Sequence, residues 1–270
     1  MQELDSASTL AFIRDLGIEN GRISACSYVD RNEAVRYAWH THSKHQLLYA
    51  LRGTLQLEAA GARYFLPAQR AAWIAAGTPH RTTVAGASGI SVYFHPRLIA
   101  WQGTPVRVIA PSPLLREMVR GAYRWPAHSK GGEAVRRAYF RTLALLFREW
   151  LETPLPFSLP ETDDPALGRA IAFTMANLDK AGALSASAAA LMSERSFRRH
   201  FKESLGLCWR EYLLKARMLR AMELLSGDDR TIAQIASEVG FESAGGFAHA
   251  FSRFTNESPA EFRRRVREIS

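Results

Sequence analysis

Two segments, SERSFRRHF at residues 193–201 and SAGGFAHAF at residues 243–251, share a pattern that predicts the architecture of the C-terminal part. Each begins with a serine, followed by phenylalanines four and eight positions later. Serine is a favoured helix N-cap, and residues at i and i+4 lie on one face of a helix. A stretch that reads as a short helix precedes each segment (SASAAALM and TIAQIASEVG). The repeat therefore predicts two helix-turn-helix units in succession.

The second helix of the first unit carries a basic face opposite its phenylalanines. Its members recur at i, i+3, i+4 and i+7 and are Arg195, Arg198, Arg199 and Lys202. On an isolated helix such a stripe is usually a solvated face. On the second helix of a helix-turn-helix it faces the DNA major groove, where arginine can bind guanine O6 and N7 together. We therefore predict that this helix reads bases.

The C-terminal segments MSERSFRRHFKESLG, ARMLRAMELL and TIAQIASEVGFESAGGFAHAFSRFTNESPAEFRR resemble the AraC/XylS transcription regulators over about residues 165–265. The resemblance implies two DNA-reading helices joined by a long helix around WREYLLKARMLRAMELL. It places the base-reading positions at Arg195, Arg198 and Arg199 in the first helix, and at Gly245, Gly246 and His249 in the second. Ser193, Lys202 and Ser243 complete the predicted DNA-binding set. Because glycine cannot reach a base edge, we expect the first unit to supply most base contacts and the second mainly phosphate contacts.

The N-terminal part has a sequence pattern typical of a β-sandwich or β-barrel. Between residues 22 and 95, short apolar segments alternate with turn residues at intervals of 8–12 residues. The stretch HTHSKHQ (residues 40–46), followed by Gly53 and then by GTPH (residues 77–80), resembles the two cupin motifs. This resemblance, which also extends to the cupin sensor domain of one AraC-type subgroup, implies that His40, His42, Gln46 and His80 bind one divalent metal.

The expected metal follows from Gln46, which stands where a metal-binding cupin has glutamate. A neutral amide with three imidazoles suits zinc, nickel, cobalt or iron(II) better than magnesium or calcium. Unperturbed histidines would lose the metal as the pH falls through about 6.5. Strand alternation predicts that His40, His42 and Gln46 share a face and that His45 points away, as a solvated or rim residue. Trp39, Tyr49, Trp73 and Tyr93 lie near enough in sequence to wall an effector pocket around this site. The alternative to a metal site is a pocket for an organic effector that the histidines line without metal.

The predicted fold class is α+β with two domains. Residues 1–110 are expected to form a cupin-like β-barrel (a double-stranded β-helix), and residues 111–152 a helical region that connects and dimerises, with Leu143, Leu146, Phe147 and Trp150 on one stripe. The proline-rich residues 153–165 read as a linker. Residues 166–268 are expected to form the double helix-turn-helix domain.

Composition sets further bounds. The two cysteines, Cys26 and Cys208, make a disulfide framework or a cysteine metal motif untenable. Without a signal-like start or a long apolar run, the chain is expected in the cytoplasm. The net charge of +9 favours a polyanionic partner, although the excess is shared by both halves.

Two function classes remain open. The first, favoured, is a non-enzymatic, sequence-specific transcription regulator that responds to a small molecule or a metal; the resemblance implies a bacterial homodimer acting on promoter DNA and with RNA polymerase. The second is a cupin metalloenzyme, such as a dioxygenase or isomerase, joined to a DNA-binding module. Between residues 34 and 116 the barrel segments offer Glu58 as the only carboxylate, whereas a proton-transfer enzyme needs a positioned acid or base.

Overall fold

The computed structural model describes residues 1–30, 34–150, 155–227 and 229–267, without the side chains of residues 148–150. The chain divides into two compact units, one formed mainly by Met1–Ala60 and Tyr64–Pro156, the other mainly by the residues from Phe157 onward. The division falls inside the segment predicted as a linker. This architecture, a β-rich unit followed by a helical unit, confirms the predicted two-domain α+β class.

The β-rich unit contains ten strands among the described residues. They are β1 (Gln2–Glu3), β2 (Ala25–Asp30), β3 (Ala34–Arg36), β4 (His45–Arg52), β5 (Thr54–Ala59), β6 (Ala62–Pro67), β7 (Ala71–Ile74), β8 (His80–Ala85), β9 (Ser88–Phe94) and β10 (Val106–Ile109). Within this unit they form two sheets, ordered β1-β3-β8-β5-β6 and β10-β7-β4-β9-β2. Most neighbours are antiparallel, and tight turns at Gly53, Gly61 and Gly86, all with positive φ, connect consecutive strands.

Side chains of β4 alternate between the two faces of the second sheet. Leu47 and Tyr49 belong to an apolar core cluster that also contains Leu115 and Phe140. Those two residues lie on helices α2 (Pro113–Gly121) and α3 (Glu133–Trp150), which therefore cover the outer face of this sheet. Gln46 and Leu48 point the other way and line a cavity between the sheets. The period of two thus separates a core facing helices from a core facing a cavity.

The predicted helical region 111–152 is interrupted. A short 3-10 turn, Ala122–Arg124, ends the first helix, and α3 begins only at Glu133 after Gly131 and Gly132, both with positive φ. Leu143 and Phe147 are fully buried and Leu146 is half-buried, whereas the Trp150 side chain and residues 151–152 lie outside the described residues.

Helix α1 (Ser6–Asp15) has no counterpart in the sequence analysis. Asp5 caps its N-terminus by accepting a hydrogen bond from Ser8 N. Its last turns bring Phe12 and Ile13 to the cavity between the sheets. The helix escaped prediction because its apolar residues are few and the whole segment is short.

The helical unit follows the predicted order. Its elements are a short strand β11 (Ser158–Pro160) and helices α4 (Pro165–Ala176), α5 (Ala183–Ala189), α6 (Glu194–Leu205), α7 (Trp209–Gly227), α8 (Ile232–Glu238), α9 (Ala244–Thr255) and α10 (Pro259–Arg267). The predicted linker 153–165 thus contains a strand and the first residue of α4, and its residues 153 and 154 lie outside the described residues.

Local signals in the helical unit act as the sequence predicts. Ser193, Ser243 and Thr231 cap α6, α9 and α8, each accepting a hydrogen bond from the backbone nitrogen three residues later. The four phenylalanines of the repeat, Phe197, Phe201, Phe247 and Phe251, have no exposed surface. Asn256 ends α9 in the left-handed conformation (φ 62°), which asparagine tolerates better than most residues. In the described part of the chain, no helix has the length and apolarity needed to cross a bilayer.

Candidate functional site

The basic face of α6 is exposed and borders an open groove. Arg195, Arg198, Arg199 and Lys202 line this groove together with Arg210, which lies in the first turn of α7. Opposite them, Phe197 and Phe201 pack against Trp209 and Tyr212 of α7. Burial of the phenylalanines therefore fixes the rotation of α6 and points its cationic side outward. Arg210 was not part of the sequence prediction, because it falls on a different helix from the stripe.

Two side-chain contacts hold α6 in the free protein. Arg198 pairs with Glu194 one turn earlier. His200 Nε2 lies 2.6 Å from Asp164 Oδ2, while Asp164 Oδ1 caps α4 by accepting from Ala166 N and Leu167 N. These contacts lower the pKa of Asp164, chiefly through the hydrogen bond with His200. The carboxylate of Asp164 thus connects α6 to the start of α4.

Helix α9 presents a smaller surface. Gly245, Gly246 and His249 are all exposed. A Cβ at position 245 would meet nothing within 4 Å, whereas one at 246 would lie 3.1 Å from the capping hydroxyl of Ser243. Exposed Arg253, in the last turn, is a basic group of this helix that the sequence analysis did not name.

The three predicted histidine ligands converge in the β-rich unit. Nitrogen atoms of His40, His42 and His80 all lie within 4.8 Å of one another. His80 opens β8, and its backbone exchanges both hydrogen bonds with His40, so this two-residue bridge brings the pair together. His42 lies next to His80, with ring centroids 5.0 Å apart. Gln46 Oε1 is 3.0 Å from His42 Nε2, and Gln46 Nε2 donates to Ser91 Oγ at 2.8 Å.

All three rings are oriented by backbone carbonyls. The Nδ1 atoms of His40, His42 and His80 lie 2.8, 2.7 and 2.8 Å from the carbonyl oxygens of Ala38, Lys44 and Thr78. A carbonyl oxygen only accepts, so each Nδ1 carries the proton, and in the neutral ring Nε2 keeps its lone pair. In His42 this lone pair faces Gln46 Oε1, which is also an acceptor, so no hydrogen bond joins the two atoms in this orientation of the amide. His80 Nε2 is buried and has no hydrogen-bond partner among the described residues.

Burial keeps these imidazoles neutral. It lowers the pKa of His40 to about 4, and it also lowers the pKa of His42. The pKa of His80 lies well below its ordinary value because of burial and then of the two neighbouring histidines. Neutral, oriented rings are what metal coordination requires.

Strand alternation explains Gln46 but not His40 and His42, because β4 begins only at His45 and the two earlier histidines lie outside regular strand pairing. The prediction that His45 is a solvated or rim residue is wrong. Its side chain does point away from Gln46, but it is 5% exposed, stacks on Trp73 at 4.8 Å and contacts Ile99 O through Nε2. The face opposite the cavity is covered by helices rather than by water.

A cavity of about 40 Å³ lies between the sheets beside the histidines. Of the predicted pocket residues, only Tyr93 lines it. Tyr49 and Trp73 belong to the core cluster on the opposite side of the sheet, and Trp39 is 47% exposed beneath the guanidinium of Arg81. Proximity in sequence could not distinguish the two faces.

The cavity contains a polar group that sequence reasoning missed. Asp30 lies at the end of β2, is buried and accepts a 2.7 Å hydrogen bond from Tyr37 Oη. Both residues line the cavity with Tyr28. The carboxylate that the sequence analysis weighed, Glu58, is instead paired with Arg36 and Arg81. Asp30 precedes the segment 34–116, in which the sequence offers Glu58 as the only carboxylate. The signal for Asp30 was a lone acid at the end of an apolar strand.

The two units match two known sequence families. Residues 186–265 match a family described as "Helix-turn-helix domain", and residues 23–138 match the "AraC-like ligand binding domain". The "HTH-type transcriptional regulator NimR" of Escherichia coli is 25% identical over 86% of this chain and 84% of its own length. The chain is an AraC-family transcription regulator.

Other matches cover less of the relative or are more distant. The "HTH-type transcriptional activator RhaR" of Pectobacterium carotovorum is 39% identical, but over only 28% of this chain and 27% of RhaR. The structure of ToxT from Vibrio cholerae covers 90% of this chain and 97% of ToxT, at 14% identity and a TM-score of 0.38. By the two family matches, residues 186–265, from within α5 to within α10, form the helix-turn-helix domain of this AraC-family protein, and residues 23–138 of the β-rich unit form its ligand-binding domain.

Proposed function

We propose that this AraC-family regulator senses a small effector through a divalent transition metal held by His40, His42 and His80, and reads its operator mainly with α6. The observation that carries the metal proposal is that nitrogen atoms of His40, His42 and His80 lie within 4.8 Å of one another. In each ring Nδ1 faces a backbone carbonyl, which leaves Nε2 as the atom we propose for the metal. A buried acceptor without a partner, such as His80 Nε2, costs stability unless something binds it. A metal would supply an electrophilic anchor for a donor atom of the effector.

The donor set fits such an ion. Three imidazoles suit zinc, nickel, cobalt or iron(II), and the absence of a charged ligand disfavours magnesium and calcium. The Gln46 amide can serve as a fourth ligand through Oε1 or, if rotated, as a hydrogen-bond donor to His42. Gln46→Glu separates the two roles, because glutamate coordinates more strongly but, ionised, cannot donate.

The effector we propose is compact and brings hydrogen-bond donors. Tyr37 donates to Asp30, so the polar wall at this end of the cavity is an acceptor formed by the carboxylate. Leu48, Leu55 and Val84 make the adjacent walls apolar. A molecule with a metal-binding atom at one end and an N–H or O–H at the other would contact both ends of the cavity.

We propose that the barrel senses rather than catalyses. Asp30 is a carboxylate that a cupin enzyme could use, so the residue inventory alone does not separate the two classes. The support for a regulator is the second unit, whose double helix-turn-helix has no role in turnover. The cytoplasm is the compartment we propose, because the proposed partner is chromosomal DNA.

Dimerisation is proposed through α3. Its face away from the core exposes Val135, Ala138 and Leu145, which recur at i, i+3 and i+10. A second copy of the same helix would cover this apolar stripe, and Leu145→Glu is expected to give monomers in light scattering. A contact with RNA polymerase, if the protein activates, is the remaining proposed partner.

The metal proposal is tested by calorimetric titration of chelator-treated protein with zinc, nickel, cobalt and iron(II), together with thermal melting. One ion per chain and a concentration-dependent rise in melting temperature are expected. His42→Ala should abolish both, whereas His45→Ala should lower the melting temperature but retain the metal-induced rise. Gln46→Glu should tighten binding. No binding of any of the four ions by the wild type would refute the metal site and leave the histidines as the wall of an organic pocket.

DNA reading is tested separately. The wild-type protein should bind operator sequences that it selects from random duplexes far more tightly than it binds unselected duplex. Both affinities are measured at the same salt concentration, because salt weakens phosphate contacts. Comparing operator affinity with and without metal then shows whether the β-rich unit controls DNA binding by the helical unit.

A further inference from the structure

We propose that Arg217, half-buried on α7, is a positioning residue that fixes the second helix-turn-helix unit relative to the first and thereby sets the operator spacing that the protein accepts. Arg217 lies on the connecting helix and on neither predicted DNA-reading helix. The inference rests on both units contacting one DNA molecule.

Arg217 contacts both units at once. Its Nε donates to Leu178 O at 2.9 Å, in the segment that leads from α4 into α5. Its guanidinium lies 5.8 Å from the ring centroid of Phe241, in the turn between α8 and α9. One side chain on the connecting helix thus bridges the start of the first unit and the turn of the second.

The second unit approaches this bridge closely at Gly240. Gly240 has a positive φ of 81°, and a Cβ there would lie 2.5 Å from Arg217 Nη2 and 2.6 Å from Asp179 O. The backbone of the second turn is therefore packed directly on the guanidinium and on the first unit's entry segment. Only glycine permits this approach together with this backbone conformation.

The chemistry of the contact favours a rigid joint. Burial lowers the pKa of Arg217, and the nearby Asp179 opposes that effect. A guanidinium stays charged even so, and its planar fork can donate in the plane while stacking on a ring. Lysine or glutamine at this position could keep one hydrogen bond but not both contacts.

The consequence concerns linked binding. When two DNA-binding modules are held rigidly at the right separation, the second module binds at a high effective concentration once the first is bound. The resulting gain in affinity depends on the distance between the two half-sites on the DNA. A flexible joint lowers that gain and tolerates altered spacing. Affinity for a single half-site, in contrast, depends only on the unit that reads it.

The test uses full-length protein and three duplexes derived from a selected operator: the intact operator, one that ends after the first half, and one with a single base pair inserted between the halves. Wild-type protein should lose affinity on both altered duplexes. Arg217→Gln and Phe241→Leu should weaken binding to the intact operator about tenfold, leave binding to the first half within about twofold, and reduce the penalty of the insertion.

Arg220→Gln is the matched control. Arg220 lies one turn further along α7 and pairs with Glu223 and with Glu238 at the end of α8, contacts that involve no residue of the first unit. It should leave the ratio between intact and half operator unchanged. Circular dichroism melts check that each variant is folded.

Three results would overturn the proposal. One is an unchanged ratio of intact to half-operator affinity in both Arg217→Gln and Phe241→Leu. Another is an equal loss on intact and half operators, which would indicate damage to the first unit. A third is a wild-type protein whose affinity is unchanged by removal of the second half or by the insertion, which would show that the second helix-turn-helix unit does not engage the DNA at a fixed spacing, while leaving the regulator function itself standing.

Discussion

Replacing Leu191 by glycine is expected to stabilise the first helix-turn-helix unit, although the substitution removes a large apolar side chain. Leu191 follows α5 with φ 59°, in the left-handed region. Its neighbour Met192 donates its N–H to Ser187 O, and Leu191 itself to Ala188 O. The second unit makes the same pair of bonds after α8, where the left-handed residue is Gly240. Leucine thus occupies a helix C-terminal position that favours glycine.

The magnitude follows from two opposing contributions. A left-handed conformation costs an L-residue about 1–2 kcal/mol. Glycine removes this cost, but it also makes the unfolded chain more flexible, which offsets about 0.4–1 kcal/mol of the stabilisation. Leu191 is 81% exposed, so almost no burial is lost. We expect a net stabilisation of about 0.5–1 kcal/mol, which slows amide exchange in α5 and α6 about two- to fivefold if exchange proceeds through opening of this unit.

Amide hydrogen exchange of the full-length protein measures this locally, without assuming that the two units unfold together. Leu184→Gly is the control, because Leu184 is also exposed (73%) but lies inside α5 with ordinary helical backbone. It should speed exchange, since glycine within a helix costs about 1 kcal/mol. Faster exchange in Leu191→Gly as well would refute the argument from backbone conformation.

Three other outcomes are expected. Alanine at any of the exposed α6 arginines, Arg195, Arg198 or Arg199, should weaken binding to the selected operator by about 1–3 kcal/mol but to random duplex much less; equal losses in gel-shift titrations would mean phosphate contacts only. Operator DNA should protect Cys208 from alkylation, because this half-buried cysteine lines the groove beside the α6 arginines. Cys26 is the control: it is buried, burial raises its pKa to about 11, and it should stay unmodified with or without DNA. Mass spectrometry of the labelled peptides measures both, and Cys208 labelling that DNA leaves unchanged would contradict the proposed docking of α6. In the metal-free protein the pKa values of His40, His42 and His80 are lowered, so below about pH 6.5 the unfolded chain binds more protons than the folded one. The free energy of unfolding should therefore fall as the pH is lowered from 6.5 towards 4. Urea titrations that show no dependence on pH in this range would argue against neutral, buried rings.

Much of the helical unit could be predicted because its signals are local. A capping serine and the phenylalanines four and eight residues later lie within three turns of one helix. Phe197 and Phe201 therefore share a face because of helix geometry alone, independently of distant parts of the chain. The same periodicity placed the arginines on the opposite face. Cap, buried stripe and exposed stripe all follow from 3.6 residues per turn.

The histidine cluster was predictable for a different reason. The intervals between His40, His42, Gln46 and His80 resemble a known motif, and the resemblance supplied their convergence. Strand alternation alone did not, since His40 and His42 precede β4, and the bridge between His40 and His80 depends on pairing of residues forty positions apart.

The sequence by itself therefore determined that the C-terminal part folds as two helix-turn-helix units and which serines cap α6 and α9, and its motif intervals named the four side chains proposed to meet a metal. Only the tertiary structure decided which layer lies on each side of a strand. His45 is buried because α2 and α3 cover the outer face of the second sheet, and Trp73 and Tyr49 join that core rather than the cavity. Asp30, Tyr37 and Phe12 reach the cavity because β2, the end of β3 and α1 are brought together by long-range packing. Period two divides a strand into two faces, but what covers each face is set by segments distant in the chain, and no local pattern carries that information.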